Sequence, residues 1–215
     1  VLAPTLHVQC PKEITAYSGM DAITQLIESY VSTQTNPLVE ALSFDGLKKA
    51  CSAFISVCLK EPENLLLRSH MSIAAFNSGV SLTYSGLGTV HGFAGEIGSK
   101  YPIGHGVCCA TLLAPVTESS IKKLEHKHHL PYFKKYGDIG RLISGHSNLT
   151  DKKATHILID TLYQWKSLLN IPSLKSLGIK KETIEHLAIH SKNRNNPVAL
   201  TETDRITILQ TAFED

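Results

Sequence analysis

The sequence has no apolar run of membrane-spanning length. The longest nearly uninterrupted one, Gly106 to Val116, falls well short of the roughly 20 residues a spanning helix needs. It also has no basic-then-apolar leader, so neither a membrane nor a secretory destination is expected. Charge of one sign is missing too: 21 Lys+Arg stand against 19 Asp+Glu, a formal net charge of +2. That balance excludes the basic stripe by which a chain holds nucleic acid or an anionic surface. Cysteine is sparse and odd in number, with five residues (Cys10, Cys51, Cys58 and the adjacent Cys108 and Cys109). With no CxxC among them, a disulfide scaffold, a zinc ribbon and a thioredoxin-like motif are all excluded. The cysteines read as small buried apolar residues in a reducing cytosol, so the expected location is cytoplasmic. No period-2 run flanked by hairpin turns occurs, no repeat of domain-building length, and no low-complexity linker.

What is there is ordinary globular composition: 215 residues, 42% hydrophobic and 19% charged, enough chain for one good core. Residues 1–215 are read as a single domain. The chain begins at Val1 instead of Met, and a piece of something longer is the expectation. The apolar periodicity is helical almost throughout, and the fold class expected is all-α. Met20, Ile23, Ile27, Tyr30 and Val31 recur at three- and four-residue steps from Gly19 to Val31, with Ser18 as the N-cap. Asn36-Pro37 is a cap followed by a first-turn proline, opening a helix to about Leu59. Further helices are expected over Glu63 to Leu82, from Thr150-Asp151 to about Leu169, over Lys181 to Ser191 and over Glu202 to Phe213. Ser119 to Asn148 reads as a short helix or two joined by loops.

Two segments carry residues suited to chemistry. Asp21 and Gln25 are four apart, hence stacked on one helix face beside the apolar stripe of Ile23 and Ile27. A carboxylate turned inward there needs a cation or several donors; the plain alternative is an exposed acid in a first turn. The second segment runs from His91 to Gly106. On one straight helix His91 and His105 would be roughly 21 Å apart, at 1.5 Å per residue. Pro102 and Gly104 break that helix, so the chain can fold back and set His105 at the start of the next one, facing His91. The glycines that come after each histidine let backbone approach closely. A carboxylate and two imidazoles suit Zn²⁺ or Fe²⁺ with room for a substrate; two unrelated histidines are the alternative.

Other motifs are weaker. Gly86-Leu87-Gly88-Thr89-Val90-His91 starts like GxGxxG but ends in His and comes after a helical pattern, so no dinucleotide fingerprint is read there. His126-Lys127-His128-His129 reads as a solvated surface cluster, since adjacent side chains diverge. Cys108, three residues past His105, could pair with it as a nucleophile, but no nucleophile motif surrounds it, and a buried thiol is the better reading.

Three stretches, SGMDAITQLIESYVS (Ser18 to Ser32), GLGTVHGFAGEIGSKYPIGHGVCCATLLAPV (Gly86 to Val116) and NPVALTETDRITILQTAF (Asn196 to Phe213), resemble the iron-containing (group III) alcohol dehydrogenase family. They match its C-terminal helical domain, in order and across nearly the whole chain. The resemblance implies the multihelical domain of the dehydroquinate synthase-like and iron-containing alcohol dehydrogenase fold, with Asp21, His91 and His105 as metal ligands. Four residues after the aspartate the family commonly has a third histidine, where this chain has Gln25: a neutral ligand, a donor behind the ligands, or a bystander. The glycerol dehydrogenase branch looks similar in having only one Asp and two His. Gly95 stands where several members carry a histidine, so no proton relay is expected through that position.

The implied activity is hydride transfer between an alcohol, aldehyde or ketone and NAD or NADP, with Fe²⁺ or Zn²⁺ polarising the substrate oxygen. The family's N-terminal cofactor domain is not in this chain, so it is expected to be inactive alone and to work beside that domain in a homo-oligomer. Two alternatives remain open: a dehydroquinate-synthase-like lyase, whose metal carboxylate is typically Glu, and a metal-free helical domain kept for dimerisation or interaction.

Overall fold

A computed structural model describes residues 2–127, 130–192 and 194–214. Among these the chain forms nine α-helices and no strand: α1 (Lys12–Val31), α2 (Pro37–Leu59), α3 (Leu65–Ser85), α4 (Thr89–Lys100), α5 (His105–Lys127), α6 (Leu130–Ser144), α7 (Asp151–Leu168), α8 (Ile184–His190) and α9 (Glu202–Glu214). No helix among the described residues is long and apolar enough to cross a membrane.

Caps set several boundaries. Asn36 Oδ1 accepts from the backbone N–H of Leu38 and Val39, at 3.0 and 3.1 Å, and Pro37 fills the first-turn position that has no N–H to satisfy. Asn64 caps α3 in the same way, so the helix begins at Leu65, two residues after the Glu63 expected from periodicity. Thr150 caps α7. Ser18, in contrast, does not cap α1: the helix begins six residues earlier, at Lys12, and the Ser18 hydroxyl donates to the Ile14 carbonyl at 2.6 Å, inside the helix. A hydroxyl bonded back to the preceding turn leaves no local mark distinguishing it from a cap.

The stretch from Ser119 to Asn148 also differs from its expectation. Helix α5 runs unbroken through Pro115 to Lys127, and α6 occupies most of the remainder. The inner part of α5 is buried all round, from Cys108 through Leu112 and Leu113 to Val116. A helix covered on every side shows no polar stripe to betray its period. It packs against α1, α4, α6, α7 and α9. Around this axis, α1 lies between α5 and the α2–α3 pair, while α6 and α7 pair on the other flank.

Candidate metal centre

Helix α1 brings Asp21, Gln25 and Glu28 to one face, at steps of four and three residues. Glu28 is buried, and its carboxylate takes over the start of α4. Gly86, with φ +62°, ends α3 in a backbone region open to glycine, and Gly88 at the N-cap of α4 has no side chain to give. Glu28 supplies the missing acceptor from a different helix, receiving the Gly88 N–H at 2.9 Å and the Val90 N–H at 2.7 Å. A carboxylate at a helix N-terminus also meets the positive end of the helix dipole. The turn Gly86-Leu87-Gly88 therefore joins two helices, where a dinucleotide fingerprint needs a strand before its turn.

His91 stands in the first turn of α4, and its Nδ1 donates to Glu28 Oε2 at 2.7 Å. With Nδ1 so engaged, Nε2 is the nitrogen aimed at α1, 3.3 Å from Asp21 Oδ1. His105 is the first residue of α5, and its Nε2 is 3.6 Å from the same oxygen. The two imidazole centroids are 5.3 Å apart, because the chain turns back at Pro102 to Gly104. Close backbone approach at the glycine after each histidine permits this. A Cβ on Gly106 would lie 2.9 Å from the Tyr17 carbonyl oxygen, and one on Gly92 would collide with that of Lys192.

Gln25 is tied on both sides. Its Nε2 donates to Asp21 Oδ2 at 3.0 Å, and its Oε1 accepts from the Ser78 hydroxyl at 2.8 Å. The amide cannot be turned over without setting its oxygen against a carboxylate oxygen, which only accepts. Gln25 thus holds Asp21 and does not face the histidines with a lone pair. Cys109, one turn beyond His105 and fully buried, places Sγ 3.5 Å from His105 Nε2 and 3.8 Å from His91 Nε2.

Charge distribution is set by this geometry. Burial opposes a charge on His91, but Asp21 and Glu28, by hydrogen bonding and charge together, outweigh it and hold its pKa up at about 9. Burial would likewise raise Asp21, yet the close approach and charge of the His91 imidazole, then the charge of His105, hold it below the usual carboxylate value. Burial first, then the negative charge of Asp21, push the Cys109 thiol far above the ordinary thiol range. Asp21 Oδ1 is buried without a hydrogen-bond partner among the described residues, a costly condition unless something else meets it.

A divalent cation would fit the arrangement. Two ligand atoms held by ~2.1 Å bonds at a tetrahedral angle stand about 3.4 Å apart, and Asp21 Oδ1 lies 3.3 and 3.6 Å from the two Nε2 atoms. The Glu28–His91 hydrogen bond is the outer support that metal-bound imidazoles carry. His105, with a side chain 53% exposed, opens the cluster to the surface. A cleft of about 550 Å³ borders His91 between Gly88, Gly92, Gly95, Lys192 and Arg194. At Gly95 a Cβ would meet nothing within 4 Å, so the cleft is roomy where a larger side chain could stand.

Glu28 and Cys109 escaped the sequence reading. Their signal was present in spacing: Glu28 continues the Asp21–Gln25 face, and Cys109, not Cys108, is four residues from His105. Cys108 is buried, as expected of it, and contributes no atom to the cluster. A second group, Glu96, His186 and His190, also brings potential ligand atoms together. There the Lys100 ammonium already bonds Glu96 at 2.6 Å and His186 at 2.7 Å, so a cation would have to displace it. Of the histidine tract, His126 is exposed, while His128 and His129 lie outside the described residues.

The C-terminal profile of the Fe-containing alcohol dehydrogenase family matches residues 15–213. Alcohol dehydrogenase 4 of Saccharomyces cerevisiae is 31% identical over 218 residues, spanning 98% of this chain and 53% of the yeast protein. The NAD-dependent methanol dehydrogenase of Bacillus methanolicus is 28% identical, over 98% of this chain and 52% of its own. Among solved structures, a 1,3-propanediol oxidoreductase superposes with a TM-score of 0.87 at 27% identity, covering 98% of this chain and 54% of that one. The alcohol dehydrogenase from Oenococcus oeni gives 0.86 at 30% identity, with coverage of 98% and 54%. The chain spans about half the length of the curated relatives it matches.

Proposed function

Since the chain belongs to the Fe-containing alcohol dehydrogenase family, as its C-terminal domain, we propose that it is the metal-holding half of an NAD(P)-dependent alcohol dehydrogenase. Asp21, His91 and His105 are the ligands of a divalent cation in this reading. The observation that carries it is the buried Asp21 Oδ1, which has no hydrogen bond among the described residues and faces two imidazole Nε2 atoms at 3.3 and 3.6 Å. When bound, the cation supplies Lewis-acid polarisation of the alcohol or carbonyl oxygen while hydride passes between the substrate carbon and a nicotinamide.

This chain's residues do the holding. Glu28 fixes the His91 ring and directs Nε2 inward. Gln25 and Ser78 fix the Asp21 carboxylate from the other side. The cleft beside His91 receives a small alcohol, aldehyde or ketone, with the open space at Gly95 available to it. The nicotinamide-binding part belongs to an N-terminal domain in the complete protein, and the relatives' length of nearly twice this chain supports that division.

Metal content is the direct test. The purified chain, offered Fe²⁺ and Zn²⁺ in turn, binds about one equivalent, and the Asp21→Ala, His91→Ala double variant binds none. Uptake that is nonspecific, or equal in the double variant, sinks the metal reading and leaves a helical interaction domain. Incubated with an alcohol and NAD⁺ or NADP⁺, the loaded 215-residue chain shows no turnover; turnover would remove the need for a second domain.

A further inference from the structure

We propose that Cys109 is the fourth protein ligand of this centre, and that its thiolate directs the site to a thiophilic cation of the Zn²⁺ type, able to expand to five-coordinate for a substrate oxygen, in preference to Fe²⁺. The inference rests on the metal reading above and adds a donor that spacing did not reveal. Three atoms, Asp21 Oδ1, His91 Nε2 and His105 Nε2, define one face of a tetrahedron. Gln25 cannot fill its remaining corner, because its amide is committed to Asp21 Oδ2 and Ser78. The donor that does stand within reach is sulfur: the four atoms all lie within 4.8 Å of one another.

The distances agree with a sulfur corner. Metal–sulfur and metal–nitrogen bonds of ~2.3 and ~2.1 Å at a tetrahedral angle put S and N about 3.6 Å apart. Cys109 Sγ is 3.5 Å from His105 Nε2 and 3.8 Å from His91 Nε2. The sulfur is fully buried while His105 is exposed, so the thiol closes the inner side of the cluster, away from solvent. One turn of α5 separates Cys109 from His105, which puts both on the same helix face. The adjacent Cys108 is buried and is not among the clustered ligand atoms. As the metal–sulfur bond forms, the S–H bond breaks and its proton passes to solvent, with no change of oxidation state. A thiolate in the set favours Zn²⁺ over the harder Fe²⁺.

Cobalt reads the ligand directly. The wild-type chain, loaded with Co²⁺ under a phosphine reductant, shows an intense near-ultraviolet sulfur-to-metal charge-transfer band. The band persists in Cys108→Ser and vanishes in Cys109→Ser and Cys109→Ala, and the Cys109 variants bind Zn²⁺ more than about 10-fold more weakly. X-ray absorption of the zinc-loaded wild type, which needs no variant to fold, shows one sulfur neighbour. A wild-type chain that holds stoichiometric Co²⁺ without the band, or Zn²⁺ without a sulfur neighbour, overturns the thiolate assignment and leaves the three-ligand reading standing. Failure to bind either metal overturns both.

Discussion

Glu28 has two tasks in one carboxylate. It accepts the first N–H groups of α4 and the Nδ1–H of His91, so the group that starts the helix also orients the ring at its first turn. Replacing it with Gln keeps the shape but removes the negative charge from both. Glu28→Gln is expected to weaken Zn²⁺ binding by roughly 10- to 100-fold, the usual cost of losing an outer partner of a metal-bound imidazole. Competition against a chromophoric chelator measures it, and unchanged affinity would show that His91 needs no such support. The same residue explains part of what was hidden in the sequence. Asp21, His91 and His105 stand out because carboxylate and imidazole near glycines attract notice. A glutamate among apolar neighbours reads as one more surface charge until the N-terminus of α4 is seen against it.

Among the helices, α9 shows how a local signal and a distant one combine. Thr201 and Asp204 form a reciprocal cap: Asp204 Oδ2 accepts from the Thr201 N–H at 2.6 Å, and Thr201 Oγ1 accepts from the Asp204 N–H at 3.2 Å. Lys123, on α5, closes an ion pair on the same oxygen. Burial alone would raise the Asp204 pKa, but Lys123 and the bonds its carboxylate accepts from the Thr201 hydroxyl and N–H outweigh it and hold it below the 3.8 of a free side chain. A lowered folded pKa means stabilisation that is present at neutral pH and fades as the pH falls below 3.8 and through the lowered folded value. Asp204→Ala is expected to cost about 0.5–2 kcal/mol at pH 7, measured by urea denaturation. The difference from wild type should shrink on acidification, and a difference independent of pH would refute the assignment. The cap is a local pattern, Thr201-x-x-Asp204; the lysine reaching it from α5 is not, since nothing local couples positions so far apart.

Over the whole molecule, the cluster is assembled from α1, the start of α4 and the start of α5, and α5 is also the axis of the core. A cation bridging these three elements binds only the folded chain, so it should stabilise the whole. With Zn²⁺ at 100 times its dissociation constant the gain is about 2.7 kcal/mol. Thermal unfolding with and without Zn²⁺ measures it, and Asp21→Ala should abolish the shift. An equal shift in that variant would mean the ion acts elsewhere. The hydrophobic core that supports the cluster was the most readable part of the chain, because amphipathic stripes mark α1, α2 and α7. Helix α5 was only half readable: with apolar residues on every side its inner part, up to Val116, left no periodic trace.

Local chemistry in the chain settled the helical class and most helix starts, through periodicity and Asn and Thr caps, while the family resemblance picked out the three residues that meet in the cluster. Local chemistry also allowed the chain to turn between His91 and His105, where Pro102 and Gly104 interrupt the helical pattern. Helix packing alone decided which way Gln25 faces, that Glu28 starts α4 and grips His91, and that Cys109, not Cys108, lies against the imidazoles. Those outcomes depend on the rotation and spacing of helices packed from distant parts of the chain. A shift of one residue around a helix turns a side chain by about 100°, and no local pattern records that angle.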